Sequence, residues 1–226
     1  MLKRLLKNVR YFRFIDNFPE LKLGSILVAV LCTFLIIIAT FTQLELRCLV
    51  MPHEAYIHPT DFFTNNVFLT NFMDKYYYIP QIPAILFTSA LLGPGLGLFA
   101  VILYVLAGLL GCPIFASGGG IGYYSDPGFG YILGYFGGVY LVGNILSHKI
   151  TNMSLIKAAL VGVLVIHLFG IIYMFSLLLL QHNSIFVIIG WIWAKSGMQL
   201  PYDLVVSVIT ISLARPARAF LWVAMD

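Results

Sequence analysis

The sequence predicts an all-α integral membrane protein with six transmembrane helices, a basic amphipathic helix at the N-terminus and both termini on the cytoplasmic side. Composition is the first reason: 61% of the 226 residues are hydrophobic and only 10% are charged, whereas soluble domains carry about 25% charged residues. The second reason is a series of apolar runs near the roughly 20 residues that cross a bilayer. The third is an excess of basic residues at one set of helix ends. A chain of this length holds these helices as a single membrane domain, residues 1–226.

Residues 1–22 predict a helix that lies on the membrane surface. Lys3, Arg4 and Lys7 begin a basic series, and apolar residues recur between them at helical spacing. Such a basic amphipathic helix binds anionic lipid headgroups. Residues 24–42 then form predicted helix 1. This apolar run lacks a small-x-small cleavage site, so we expect it to be retained.

The segment 43–75 is polar and predicts a long loop outside the bilayer that folds over a site as a lid. It carries the acidic residues Glu45, Glu54 and Asp61. Tyrosines follow at positions 76–78 and mark the return into the membrane, because tyrosine is enriched where chains cross the membrane interface.

The rest of the chain predicts five further helices. Their residues are 79–92, a second segment up to residue 110, 128–147, 158–180 and 200–213. The first two are short and are separated by a turn at Gly93-Pro94-Gly95, since glycine and proline interrupt helices. Residues 185–195 are apolar but too short to cross, so we expect them in the outer interface with Trp191 and Trp193 as anchors.

The distribution of basic residues sets the predicted orientation. With six spans, the 13 Lys and Arg residues fall on the side of the N-terminus except for Arg47, Lys75 and Lys195. Cytoplasmic loops carry the excess of Lys and Arg, so both termini are expected to be cytoplasmic. The same arrangement collects the glycine-rich loop, the 43–75 segment and Asp203 in the outer half. It therefore predicts a binding site that opens outward.

The glycine-rich loop at residues 117–122, Ser-Gly-Gly-Gly-Ile-Gly, is the first candidate binding element. Unpaired backbone groups are costly in hydrocarbon, so water, protein or a polar ligand must satisfy those of Gly118, Gly119 and Gly120. A run of such amides can hold an anion, and a plain glycine-rich connector is the alternative. The loop lacks the strand and the G-x-G-x-x-G spacing that bind a dinucleotide.

Asp203 is the second candidate, because an ionisable residue at membrane depth is a functional hypothesis by default. It follows Pro201 at the start of the last predicted helix, where an Asp can also cap the helix. Asp126 has the same two interpretations, with capping favoured. Gln81, between two prolines, is a polar side chain with no obvious local partner.

Catalytic and metal sites are not indicated. His53 and His58 are five positions apart rather than the four of a zinc-protease helix. His167 stands alone and is interpreted as a hydrogen-bonded packing residue. An intramembrane enzyme that used Asp126, His167 and Asp203 would need these residues to meet, and the predicted topology puts His167 on a different helix from both aspartates. The sequence also indicates no cofactor and no nucleic-acid partner.

Small residues recur every fourth position in two of the predicted helices. Gly134 and Gly138 form the G-x-x-x-G pattern by which membrane helices pack closely. Ser25, Ala29 and Thr33 form a similar stripe on predicted helix 1. That stripe faces either the protein's own bundle or a partner membrane protein.

The order of motifs over residues 78–218 resembles one family, the biotin-specific S component (BioY) of energy-coupling factor (ECF) vitamin transporters. The matching segments are Leu92-Gly93-Pro94, Gly111-Cys112-Pro113-Ile114-Phe115-Ala116, the glycine-rich loop, Pro127-Gly128-Phe129-Gly130-Tyr131-Ile132-Leu133-Gly134-Tyr135 and Leu200-Pro201-Tyr202-Asp203. Gln81 falls where that family has a Gln shortly before its L-G-P motif. The family's P-T-G-G-Y is altered here, and Val206 occupies the position of its usual Lys, for which Lys195 is a candidate substitute.

The resemblance implies a function in biotin uptake. It implies a multi-pass protein of a bacterial-type cytoplasmic membrane, surrounded by membrane lipids, that captures biotin in an outward-facing pocket and is not itself an enzyme. Its partners would be a transmembrane coupling protein, which the stripe of Ser25, Ala29 and Thr33 would contact, and two ABC-type ATPases. The alternatives are an S component for another small vitamin and a membrane scaffold protein without a transport role.

The chemistry of biotin assigns expected roles to the candidate residues. Asp203 would accept hydrogen bonds from the ureido ring, and an apolar thiophane ring needs aromatic walls. Those walls would be supplied by Tyr123, Tyr131 and Tyr135. The polar ends would be held by the amides of Gly118, Gly119 and Gly120 with Ser117 and Gln81.

Overall fold

The computed structural model describes residues 23–49, 73–148 and 150–225. The regular secondary structure of these residues is helical apart from one two-stranded antiparallel sheet. The elements are α1 (Leu23–Phe41), β1 (Leu44–Leu49), β2 (Met73–Tyr78), α2 (Gln81–Leu109), a 3-10 turn (Ile121–Ser125), α3 (Phe129–His148), α4 (Asn152–Leu180), α5 (Ile185–Ile192), a π-helical turn (Trp193–Gly197) and α6 (Gln199–Met225). The predicted amphipathic helix over residues 1–22 lies outside the described residues. The chain forms two compact units, a small one over Thr42–Ile79 and a helical one made of the rest.

Helix α1 confirms predicted helix 1. Its inward face is buried, and the opposite face exposes large apolar side chains such as Leu27 and Leu31, as expected of a helix in lipid. The predicted small-residue stripe belongs to the inward face: Ser25, Ala29 and Thr33 are all buried, and Thr33 Oγ1 donates to the carbonyl of Ala100 at 3.1 Å. In this conformation the stripe packs α1 against its own bundle.

The small unit corrects the prediction of an irregular loop over residues 43–75. Strands β1 and β2 pair with Leu44 opposite Tyr78, and Lys75 forms a 2.7 Å ion pair with Glu45. The pattern that favours a strand is the alternation of apolar and charged residues from Leu44 to Arg47, which has the period of two expected for a half-buried strand. Residues 50–72, most of the predicted lid, lie outside the described residues.

Helix α2 bends back on itself at Gly93, whose φ of 80° and ψ of −177° are not helical. Residues 81 and 104 of a straight helix would be about 35 Å apart, yet the Gln81 side chain contacts Tyr104 at 2.8 Å. The predicted turn at Gly93-Pro94-Gly95 is therefore confirmed. Glycine tolerates the positive φ, and Pro94 has no N–H to continue the helix. We call residues 81–92 the first arm of α2 and residues 94–109 its second arm.

Helices α3 and α4 pack closely through glycines of α3. A Cβ atom on Gly134 would lie 2.9 Å from the Cα of Ile166, and one on Gly138 would lie 2.8 Å from the Ile166 side chain. The predicted packing role of this G-x-x-x-G pattern is confirmed. Helix α4 starts earlier than predicted because Thr151 and Ser154 form a capping box.

The C-terminal part contains a short helix, a π-helical turn and a long helix. Helix α5 and the π-helical turn occupy the segment predicted to lie in the interface, and Trp191 and Trp193 are both exposed. Helix α6 runs to Met225, so the predicted end at residue 213 is wrong. Pro216 does not end it, and the side chains of Arg215 and Arg218 donate to the carbonyls of Ile150 and Leu91.

Five stretches of the described chain are long and apolar enough to cross a membrane. They are Leu23–Phe41, Gln81–Leu109, Phe129–Ser147, Asn152–Leu180 and Ile185–Arg218. One of these, Gln81–Leu109, is the helix that folds back at Gly93. The chain is thus a helical multi-pass membrane protein.

Candidate functional site

Several predicted site residues meet at one end of the helical unit. Tyr135 on α3 is buried, and electrostatic interactions link it to Tyr104, Tyr123, Tyr131 and Asp203. These partners come from the second arm of α2, the 3-10 turn, α3 and α6. The structure therefore brings the predicted site residues Tyr123, Tyr131 and Tyr135 together with Asp203.

Asp203 lies at the end of a buried chain of side-chain hydrogen bonds. Its Oδ2 atom is 3.1 Å from Nε2 of His167, and Nδ1 of His167 is 3.1 Å from Oγ of Ser196. The Ser196 hydroxyl is in turn hydrogen-bonded to the hydroxyl of Tyr131. The exposed fractions are 0% for Asp203, 1% for His167 and 2% for Ser196. Four polar side chains from three helices and the π-helical turn thus form one connected group.

The pairing of His167 with Asp203 confirms one prediction and corrects another. His167 is a hydrogen-bonded residue of the packed interior, as predicted, but it does not lie apart from Asp203. Ser196 was not predicted at all, and its neighbour Lys195, the proposed substitute for a family lysine, is exposed. These contacts join residues 29 and 36 positions apart, so no local spacing could have revealed them.

Gln81 belongs to a second polar group centred on Tyr104. Gln81 Nε2 donates to the Tyr104 hydroxyl at 2.8 Å, and that hydroxyl donates to the carbonyl of Ile114 at 3.2 Å. Thr40 Oγ1 lies 3.3 Å from the same hydroxyl. Gln81 has no partner close to it in sequence, as predicted, but the two arms of α2 bring Tyr104 beside it. Tyr104 was not predicted as a site residue.

The glycine-rich loop satisfies part of its own backbone. Phe115 and Gly118 exchange two backbone hydrogen bonds of 2.9 and 3.1 Å, and the Gly120 amide donates to the Gly108 carbonyl at 2.7 Å. The amides of Gly118 and Gly120 are thus engaged within the protein, which argues against the predicted anion nest at these two positions. Gly119 serves close packing, because a Cβ there would lie 2.1 Å from the Cys112 carbonyl oxygen.

The residues that flank the glycine-rich loop contribute aromatic side chains to the site. The ring of Phe115 is buried and contacts the rings of Tyr104 and Tyr123, with centroid distances of 5.4 and 4.6 Å. The Tyr123 hydroxyl also bonds to Ser117. Burial raises the pKa of Tyr123, and the carboxylate of Asp126 adds to the rise. Tyr123 therefore stays a neutral hydrogen-bonding group at physiological pH.

Asp126 has the capping role that the sequence favoured. Its Oδ1 atom accepts a 2.6 Å hydrogen bond from the amide of Gly128, immediately before α3 begins at Phe129. A carboxylate at this position also interacts favourably with the positive end of the helix dipole. The carboxylate of Asp126 therefore serves the start of α3 by its hydrogen bond to Gly128.

Ser207 lies one helical turn after Asp203 on α6. Among the residues that the structure describes, its Oγ is the buried side-chain nitrogen or oxygen atom without a hydrogen-bond partner. Within the same residues, no group of three or more His, Cys, Asp or Glu side chains is arranged to hold a metal ion.

Together these groups can recognise a small molecule with both polar and apolar parts. Asp203 supplies a buried hydrogen-bond acceptor, while Tyr131, Tyr135 and Tyr123 supply aromatic surface with polar hydroxyls. A few precisely placed polar groups among aromatic walls are the usual composition of a ligand site.

Comparison with known proteins agrees with this architecture. The BioY family model matches residues 78–222. A probable biotin transporter BioY of Lysinibacillus sphaericus is 30% identical over 42% of this chain and 50% of its own length. The biotin transporter BioY of Rhizobium etli is 26% identical over 60% of this chain and 79% of its own length. An uncharacterized 21.2 kDa protein of Cyanophora paradoxa is 30% identical over 62% of this chain and 73% of its own length.

The fold has a counterpart among solved structures. The crystal structure of the S-component for biotin from an ECF-type ABC transporter superimposes with a TM-score of 0.62, covers 90% of this chain and 95% of its own, and is 18% identical. At 18% identity the match establishes that the two proteins share a fold, and nothing further. The chain spans about half the length of the Lysinibacillus sphaericus relative, but the family model matches more than half of the chain. The chain belongs to the BioY family.

Proposed function

We propose that this protein is the biotin-binding S component of an ECF transporter and that it takes up biotin without being an enzyme. The observation that carries the proposal is the fully buried carboxylate of Asp203 beside the tyrosines of α3. Family membership, two relatives that are named as biotin transporters and the fold of a biotin S-component support it.

Biotin fits the chemistry of the group around Asp203. An ionised carboxylate only accepts hydrogen bonds, and the ureido ring of biotin offers two N–H donors to it. Tyr131 and Tyr135 are proposed as walls for the apolar bicycle, with Tyr123 and Ser117 toward its polar end. Gln81 is proposed to act through Tyr104, since its amide nitrogen already donates to that hydroxyl. Of the loop amides, those of Gly118 and Gly120 receive no support as ligand contacts.

The proposed topology has six crossings and both termini in the cytoplasm. The two arms of α2 count as separate crossings, together with α1, α3, α4 and α6. The hydrogen bonds from Arg215 to Ile150 and from Arg218 to Leu91 bring the C-terminal part of α6, the α3–α4 connection and the bend of α2 to one basic end. Basic residues favour the cytoplasmic side, which leaves Gln81 and the glycine-rich loop at the opposite end.

The proposed partners are a transmembrane coupling protein and two ABC-type ATPases in a bacterial-type cytoplasmic membrane. The related S-component comes from such an ECF-type transporter. Contact with the coupling protein through Ser25, Ala29 and Thr33 gains no support from the structure, because these side chains are buried. A lid role for residues 43–75 stays a prediction.

A second candidate is an S component for another small vitamin. It is favoured by Val206, which stands where the resemblance to the family leads us to expect a lysine. A binding screen of biotin against other vitamins separates the two candidates, since the same Asp203 would serve a different ligand.

The proposed function is tested by binding of biotin to the purified protein in detergent, measured by calorimetry and thermal shift. We expect saturable binding, and Asp203→Asn should weaken it about 10- to 100-fold, because hydrogen bonds to a charged group contribute about 1.5–3 kcal/mol. Asp126→Asn is the matched control: its amide oxygen can still accept from the Gly128 amide, and Asn is as good a helix cap as Asp, so the change should leave biotin affinity unchanged. Absence of biotin binding by the unmodified protein would refute the proposal.

A further inference from the structure

His167 connects the carboxylate of Asp203 to Tyr131 through Ser196. Asp203 and Tyr131 lie on two helices that both differ from the helix of His167. His167 is on α4, Asp203 is on α6, Tyr131 is on α3 and Ser196 is in the π-helical turn. We propose that His167 is a positioning residue for ligand binding: as a neutral imidazole protonated at Nε2, it fixes the orientation of the Asp203 carboxylate and ties it to Ser196 and Tyr131. This inference rests on the proposed function.

The direction of the hydrogen bonds follows from the donors and acceptors that are present. An ionised carboxylate can only accept, so the Nε2 atom that faces Asp203 must carry a proton. In the proposed tautomer Nε2 carries the only ring proton, so Nδ1 accepts from the Ser196 hydroxyl. Ser196 has no second proton, so it accepts from the Tyr131 hydroxyl. Every contact in this series of hydrogen bonds then has one donor and one acceptor, and the series runs from the Tyr131 hydroxyl to the Asp203 carboxylate.

Burial and packing hold this arrangement in place. Asp203, His167 and Ser196 are all at least 98% buried, and a carboxylate at that depth needs hydrogen-bond donors to remain ionised. The ring of Tyr131 meets the imidazole edge-to-face, with centroids 5.7 Å apart and planes at 90°. That contact fixes the plane of the imidazole, and the hydrogen bonds to its two nitrogens fix its rotation. The carboxylate is therefore oriented before a ligand arrives.

Because His167 orients the Asp203 carboxylate, it affects ligand affinity without contacting the ligand. Ordering a side chain on binding costs free energy, and a site that is already ordered avoids the cost. The series of hydrogen bonds also joins Asp203 to Tyr131, which is proposed as a wall of the same site. A ligand that hydrogen-bonds to Asp203 and packs on Tyr131 thus contacts both ends of one connected group.

Substitution of His167 by glutamine or asparagine tests its hydrogen bonds to Asp203 and Ser196 separately. The amide of glutamine reaches the position of Nε2 and can donate to Asp203. The shorter amide of asparagine reaches only the position of Nδ1, next to Ser196. We expect His167→Asn and His167→Ala to weaken biotin binding about 10- to 100-fold, the range for a lost hydrogen bond to a charged group. His167→Gln should recover most of that loss.

The affinities are measured by calorimetry on variants that remain monodisperse and have a folded-state thermal transition. Equal losses in His167→Gln and His167→Asn would overturn the proposal, because the Gln amide that can donate to Asp203 would then give no advantage over the Asn amide that cannot. Wild-type affinity in His167→Asn would overturn it as well.

A spectroscopic measurement tests the arrangement independently of the ligand. The chain has five histidines, and the nitrogen resonances of His167 can be assigned in protein with ¹⁵N-labelled histidine by comparison with His167→Gln. We expect a neutral ring with the proton on Nε2. A proton on Nδ1 alone would overturn the proposal. If the unmodified protein fails to bind biotin, the proposed function fails, and the tautomer alone then decides whether His167 orients Asp203.

Discussion

Nε2 of His167 lies 3.1 Å from Oδ2 of Asp203, and both side chains are almost completely buried. Two polar residues on separate helices of a membrane protein therefore satisfy each other in the interior. This pairing gives the buried carboxylate of Asp203 a hydrogen-bond partner. It also makes the stability of the bundle depend on both partners at once.

The first prediction concerns the energetic coupling of His167 and Asp203. His167→Ala and Asp203→Ala should each lower the unfolding temperature in detergent, because each leaves a buried polar partner unsatisfied. The double variant should lose less than the sum of the two, with a coupling free energy of about 0.5–3 kcal/mol. Thermal unfolding without ligand measures the cycle. Strictly additive losses would show that the contact contributes nothing to stability.

The second prediction compares two fully buried serines. Ser207 Oγ has no hydrogen-bond partner, whereas Ser89 Oγ donates to the Val139 carbonyl at 2.6 Å. Removing an unpaired buried hydroxyl eliminates a desolvation cost of about 1–3 kcal/mol. Ser207→Ala should therefore raise the unfolding temperature of the ligand-free protein, and Ser89→Ala should lower it. A drop with Ser207→Ala comparable to that of Ser89→Ala would contradict the prediction.

The third prediction concerns the hydroxyl of Tyr104. Tyr104→Phe removes the acceptor of Gln81 and the donor to Ile114, so two groups in the protein lose their partner. We expect a loss of stability of about 1–3 kcal/mol, read as a lower unfolding temperature. Tyr140→Phe is the control, because Tyr140 is exposed and its change should stay within about 0.5 kcal/mol. Similar effects of the two variants would show that the hydrogen bonds of Tyr104 do not hold the arms of α2 together.

Features that depend on neighbouring residues could be predicted from the sequence. The turn at Gly93 follows from a glycine and a proline in succession, and the cap by Asp126 follows from its place just before a helix. The close packing at Gly134 follows from a small residue at each fourth position. In each case the residues that cause the structure are within one helical turn of each other.

Features that depend on tertiary contacts could not be predicted in this way. The partner of His167 is Asp203 on another helix, and the partner of Gln81 is Tyr104 on the other arm of α2, so neither pair has a spacing that the sequence reveals. The amide of Gly120 was expected to be available to a ligand, but it bonds to Gly108 at the end of α2. Hydrogen-bond partners of this kind are set by the packing of helices, which a single sequence does not encode at a readable spacing.

The last prediction tests whether the glycine-rich loop needs glycine for packing or only for flexibility. A Cβ on Gly119 would lie 2.1 Å from the Cys112 carbonyl oxygen, which is backbone and cannot rotate away, whereas a Cβ on Gly122 would have no atom within 4 Å. Gly119→Ala should therefore cost about 1–3 kcal/mol of stability and weaken biotin binding, since Phe115 and Tyr123 flank the displaced loop. Gly122→Ala should change neither. Thermal unfolding and calorimetry on the two variants measure both effects, and equal tolerance of alanine at the two positions would mean that the loop yields without disturbing the site.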